Sequence, residues 1–158
     1  MFFVFAGLFT ISFYIGSTTE LSIEESLTIL SNFNNQVQGI DAAGIFLNNL
    51  AIGVLNFIPG FGSAWGIFAG WSTGITISGI WSMSPDMSGA NTLDIFYASP
   101  YGFLELIAYS IGMSRGAFLV FSLLKHHPIR TILRWTIFEI IIAIALLAIG
   151  SVIEITMI

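Results

Sequence analysis

Apolar residues gather in five runs, about residues 2–16, 42–58, 62–82, 101–124 and 131–157, each separated by a short polar stretch. As helices rising 1.5 Å per residue these runs would be about 22 to 40 Å long, against roughly 30 Å for a bilayer core. The first run, FFVFAGLFTISFYIG, lacks a basic flank and a small-x-small cleavage site, so it reads as a spanning helix rather than a secretory signal. Between the first two runs, Ser22-Ile23-Glu24-Glu25 has the S-x-x-E form of a capping box. Ile23, Leu27, Leu30, Phe33 and Val37 then recur at helical steps and give one apolar face. With two acids in its first turn, this stretch (about residues 22–37) is too polar to span. It is expected to lie along the membrane surface or against the bundle.

The third run carries the strongest pattern. Gly62, Gly66, Gly70 and Gly74 recur every fourth residue, and Ser78 and Ser82 continue the register. Four-residue spacing puts them on one helix face, a strip with almost no side chains. In water that much glycine opposes a helix, whereas in lipid small-xxx-small faces let two helices approach closely. Trp65, Ile67, Phe68, Trp71, Ile75, Ile77 and Ile80 cover the rest of the surface, and Trp65 and Trp81 would sit about 24 Å apart, near the spacing of two interfacial belts. The fourth run has its own small face, Ala108, Gly112 and Gly116, suited to docking on the glycine strip. Pro59-Gly60-Phe61-Gly62 is a turn signal, and Met83–Ser99, with Pro85, Asp86, Gly89, Asn91 and Asp94, is a polar loop.

Composition decides the solvent. The 158 residues are 56% hydrophobic and 8% charged, against about 25% charged in a soluble domain. The pattern therefore predicts an all-α polytopic membrane bundle, a single domain of about five transmembrane helices plus one interfacial amphipathic helix. Cysteine is absent, which removes disulfides, thiolate metal sites and cysteine nucleophiles. A net charge of −5 gives no basic footprint for nucleic acid. All four basic residues, Arg115, Lys125, Arg130 and Arg134, fall in one short window. The positive-inside rule then makes the turn between the last two spans cytoplasmic. Counting back, the acidic segments Glu20–Asp41 and Asp86–Asp94 face outside and the N-terminus faces the cytoplasm.

Ionisable groups inside spans call for partners. Arg115 lies about 13 Å and Glu139 about 12 Å from the inner ends of spans four and five, so an ion pair between them is expected. Glu105, near the outer end of span four, is matched in depth by Asn48 and Asn49 of span two, and a carboxylate–amide bond there would join the helices. His126 and His127 are adjacent and so point apart. With Lys125, Arg130 and Arg134 they read as lipid headgroup contacts rather than a metal site. No hydrolase, phosphate-loop, HExxH or dinucleotide motif occurs, and no catalytic residue, cofactor or metal is expected.

The segments FLNNLAIGVLNFIPGFGSAWGIFAG (Phe46–Gly70) and PYGFLELIAYSIGMSRG (Pro100–Gly116) resemble the stage II sporulation protein M-like membrane family. Its members show an Asn-containing second span, a glycine-rich third span and a P-H-G-x-x-E-L-like start to the fourth. Here that start is Pro100, Gly102, Glu105 and Leu106, with Tyr101 in the place of His. Thr73-Gly74 or Ser78-Gly79 replaces the family's Asn-Gly. The resemblance implies a non-catalytic membrane scaffold or accessory subunit. Its glycine-rich faces would take other membrane-protein subunits or a second copy, with membrane lipids around it and no nucleic acid. The competing reading is a small channel or transporter, for which the break at Asn56–Gly62 is the feature of interest.

Overall fold

The computed structural model of the chain describes residues 1–84, 91–125 and 129–157. The fold is all-α, 84% helical, with no strand among the described residues. The helices are α1 (Phe2–Ser17), α2 (Ile23–Val37), α3 (Ala42–Leu55), α4 (Phe61–Ser82), α5 (Asp94–Tyr97), α6 (Pro100–Leu124) and α7 (Ile129–Met157). The polar loop's Pro85, Asp86 and Gly89, and His126 and His127, lie outside the described residues.

Two helices, α6 and residues Ile132–Met157 of α7, are long and apolar enough to cross a membrane. The other three expected spans fall short for separate reasons. α1 and α3 are apolar but only 16 and 14 residues long. α4 has 22 residues, but its glycines, serines and threonines dilute its hydropathy. The second run also ends earlier than its apolar pattern does: α3 stops at Leu55. Ile58 precedes Pro59, a position biased away from helix, and Gly60 turns the chain with φ of 76°.

α2 is closed by the capping box read from the sequence: Ser22 Oγ accepts from the Glu25 amide at 3.3 Å, and Glu25 Oε2 accepts from the Ser22 amide at 2.8 Å. The Ser22 hydroxyl also donates to Glu25 Oε2, at 2.7 Å, and this bond together with the one from the Ser22 amide holds the Glu25 carboxyl below its usual range. α2 packs on α4 through small groups, with Ile29 against Gly79 and Ser82 Oγ donating to Ser26 Oγ at 2.9 Å. Ile23, Leu27 and Phe33 of its apolar face stay exposed, as in an interfacial helix.

The register of contacts orders the bundle. Gly70 lies against Phe9 and Ser12, Gly74 against Phe13 and Ser17, and Ser78 Oγ donates to the Thr19 carbonyl. Residue numbers rise together, so α1 and α4 run parallel. α3 and α4 form an antiparallel hairpin, and so do α6 and α7, where Gly150 faces Tyr101 and Leu104 while Arg115 meets Glu139. A parallel α1 and α4 with only α3 returning between them leaves α2 lying at one end.

The short α5 sends Phe96 into the core, where it meets Phe9 and Phe13 edge-on at 5.6 and 4.5 Å. Phe9, Tyr109, Met113 and Leu147 fill the centre of the bundle. The α3–α4 turn packs against Gly112 and Gly116 of α6. Gly60 in the same turn faces Val120, so α6 runs past the turn by about one helical turn, roughly 6 Å, to Leu124.

Candidate functional site

Three groups of residues concentrate the polar and small side chains. The first is the glycine strip. A Cβ on Gly74 would meet the Phe13 carbonyl oxygen at 2.1 Å, and one on Gly70 the Ser12 hydroxyl at 2.6 Å. Backbone touches backbone here, and α1 contributes its own Gly16, against the Trp71 carbonyl. Lower on α4 a Cβ at Gly62 would meet the Asn56 carbonyl oxygen at 2.0 Å, and one at Gly66 would meet Met113 at 2.4 Å. Gly112 and Gly116 of α6 are closed by Asn56, Phe57 and Ile58. The small face of α6 thus docks on the α3–α4 turn, and not on the glycine strip as expected. The faces expected to receive a partner are filled from within the chain.

Asn56 sits at the meeting point of these glycines. Its side chain is fully buried, yet neither its Oδ1 nor its Nδ2 has a hydrogen-bond partner among the described residues. Buried amides are nearly always satisfied, so this group stands out chemically. The sequence placed Asn56 in a broken helix but held no sign that four glycines converge on it.

The second group is the ion pair. Arg115 Nε donates to Glu139 Oε2 at 2.5 Å while Nη2 donates to Oε1, a two-pronged contact. The Arg115 guanidinium also lies 5.1 Å from the centroid of the Phe118 ring. Ser114, Arg115, Phe118, Glu139 and Met1 line a cavity of about 230 Å³. The depth match argued from counting residues therefore holds in space.

The third group lies at the opposite end. Asn49, buried on α3, donates through Nδ2 to Glu105 Oε1 at 2.5 Å. Asn48 is exposed and only approaches Asn49 Oδ1, at 3.5 Å, so one of the two candidate asparagines makes the bond. Glu154 of α7 borders the same region, in a cleft of about 810 Å³ with Asn48 and Asn49. The sequence reading passed over Glu154, although its acid so near the end of an apolar run was a signal.

Among the described residues no cluster of three or more His, Asp or Glu could hold a metal. No family model, curated protein or solved structure matches this chain.

Proposed function

We propose that this protein is a five-span integral membrane scaffold or accessory subunit of the stage II sporulation protein M-like type, non-catalytic and with its N-terminus in the cytoplasm. The observation that carries this reading is an inside-out distribution of polarity. Phe3 and Ile11 of α1, Leu47 and Val54 of α3, Phe68 and Trp71 of α4, Phe103 of α6 and Ile141 and Ile149 of α7 all face outward. The polar atoms of Arg115, Glu139, Asn49 and Glu105 are turned inward and spent on one another. Water does not favour so continuous an apolar exterior, whereas lipid does. Short helices are accommodated by local thinning or by flanking polar residues.

Because the glycine faces are occupied, partner contact moves to the end of the α6–α7 hairpin beyond Arg115 and Glu139. Phe121, Leu124, Leu133 and Trp135 are exposed there. The partner is another membrane subunit or a second copy. A photo-crosslinking residue at Trp135 should give a discrete adduct in native membranes, while one at Phe68 should give only lipid adducts. Adducts at Phe68 and none at Trp135 would refute this placement.

The unpartnered Asn56 at a broken helix favours a second reading, a small channel or transporter. Against it, Phe9, Tyr109, Met113 and Leu147 close the interior between Asn56 and Glu105. Solute or ion flux in proteoliposomes, lost on Asn56→Leu, would establish the transporter reading over the scaffold.

A further inference from the structure

The cleft beside Glu154 has the chemistry of an amphiphile site. Its volume, about 810 Å³, falls in the range of ligand pockets. One part of its wall is polar, with Gln36, Asn48 and Asn49 around the Glu154 carboxylate. The other is apolar, with Phe33, Ile40 and Ile155 among its residues. Glu154 makes no hydrogen bond or ion pair among the described residues. Among the described residues no cation pairs with it. Arg115, Lys125 and the first turn of α7 with Arg130 lie at the other end of the α6–α7 pair. At the cleft end the described charges, Glu20, Glu24, Glu25, Asp41, Asp94, Glu105 and Glu154, are all acidic.

We infer that the cleft between α2, α3 and α7 binds a zwitterionic phospholipid with a primary ammonium headgroup. The ammonium donates to the Glu154 carboxylate, which supplies the missing counter-charge. The Asn48 and Gln36 amides donate to the phosphodiester oxygens. An acyl chain leaves along Ile40 and Ile155. Asn49 shapes the floor, since its own amide is held by Glu105. An anionic lipid offers the same phosphate and chains but no cation, and it meets Glu154 as a like charge. A choline headgroup keeps the charge but has no N–H to donate.

This inference rests on the membrane reading above and not on the scaffold role. The test is native mass spectrometry of the full chain released from nanodiscs of equal parts phosphatidylethanolamine, phosphatidylcholine and phosphatidylglycerol. One retained phosphatidylethanolamine is expected, favoured over phosphatidylglycerol by about tenfold or more. Glu154→Gln should abolish the preference, Asn48→Ala should weaken it, and Glu20→Gln should leave it intact. Asn48 is exposed, so that variant keeps the test open if Glu154→Gln fails to fold. Equal retention of the three lipids, or a preference unchanged in both cleft variants, would overturn the site. Displacement of the lipid by millimolar free ethanolamine would overturn the lipid assignment in favour of a soluble amine. Failure to enter nanodiscs at all would instead strike at the membrane reading itself.

Discussion

Separating Arg115 from Glu139 tests the packing of α6 on α7 most sharply. The side chains are 12% and 30% exposed, so the pair is largely, but not wholly, withdrawn from its surroundings. Removing one member of a buried pair strands a charge, typically at about 3–5 kcal/mol, while replacing both by apolar groups is often neutral. The two single variants should differ. Glu139→Leu leaves a guanidinium that stays charged at any accessible pH and is 12% exposed, with only the Phe118 ring beside it, so about 3 kcal/mol is expected. Arg115→Met strands a carboxylate that is 30% exposed and reachable by water, which brings the loss down to about 2 kcal/mol. The double variant should lie within about 1 kcal/mol of the parent, giving a coupling of about 4–6 kcal/mol. Reversible unfolding in mixed micelles, followed by tryptophan fluorescence, reads all four corners of this cycle. A coupling under about 0.5 kcal/mol would mean that the charges do not meet and that the α6–α7 register is different.

Gly74→Ala should destabilise by about 2–3 kcal/mol, because its methyl would press on the Phe13 carbonyl. Gly7→Ala, with nothing within 4 Å, should be neutral or better in the same unfolding assay, and equal losses would refute the close α1–α4 contact. Asn56→Leu removes two buried unpaired polar atoms in a similar shape and should hold or raise stability, by up to about 2 kcal/mol, whereas a clear loss would reveal a partner for the amide. Single cysteines at Asn91 and Lys125, both exposed, should label from opposite sides of the membrane with Lys125 cytoplasmic, and labelling from one side would end the five-span topology. The lowered Glu25 carboxyl stabilises the start of α2 above the ordinary carboxylate range, and that contribution is lost as pH falls through its folded value. Amide exchange in the first turn of α2 should therefore quicken in acid, and Ser22→Ala, which keeps only the amide bond to Glu25, should shrink the pH response.

What was legible in the sequence was whatever a side chain announces. Charges at matched depths announced Arg115–Glu139, and an acid beside asparagines announced Glu105 with Asn49. Ser22 and Glu25 announced the capping box. Glycine announces only that something comes close, and it holds no chemistry that names the neighbour. The strip on α4 was matched to the small face of α6, whereas Gly70 and Gly74 meet α1 and Gly66 meets α6 at Met113. Ser12 and Gly16 of α1, themselves four apart, were the available clue. Phe96 was hidden for a related reason, since one aromatic in a polar loop has no period to betray that it points inward. Helix lengths were overestimated where apolar residues outlast the helix, as at Phe57 and Ile58, which belong to the α3–α4 turn.

The parallel pairing of α1 with α4 also constrains how the protein is made. Gly16 must rest on Trp71, which is translated 55 residues later. At about 5–20 residues per second, the first helix waits roughly 3–11 s for the groove that fits it. During that interval Ser12 and Gly16 lack the helix that covers them, and α1 has only its own 16 residues. α3 and α4 can close as a hairpin as soon as both emerge, so the native order of assembly is hairpin first and N-terminal helix second. A delay in exposing α4 should leave α1 without its groove, making the docking of the first helix the stage at which folding is most easily lost.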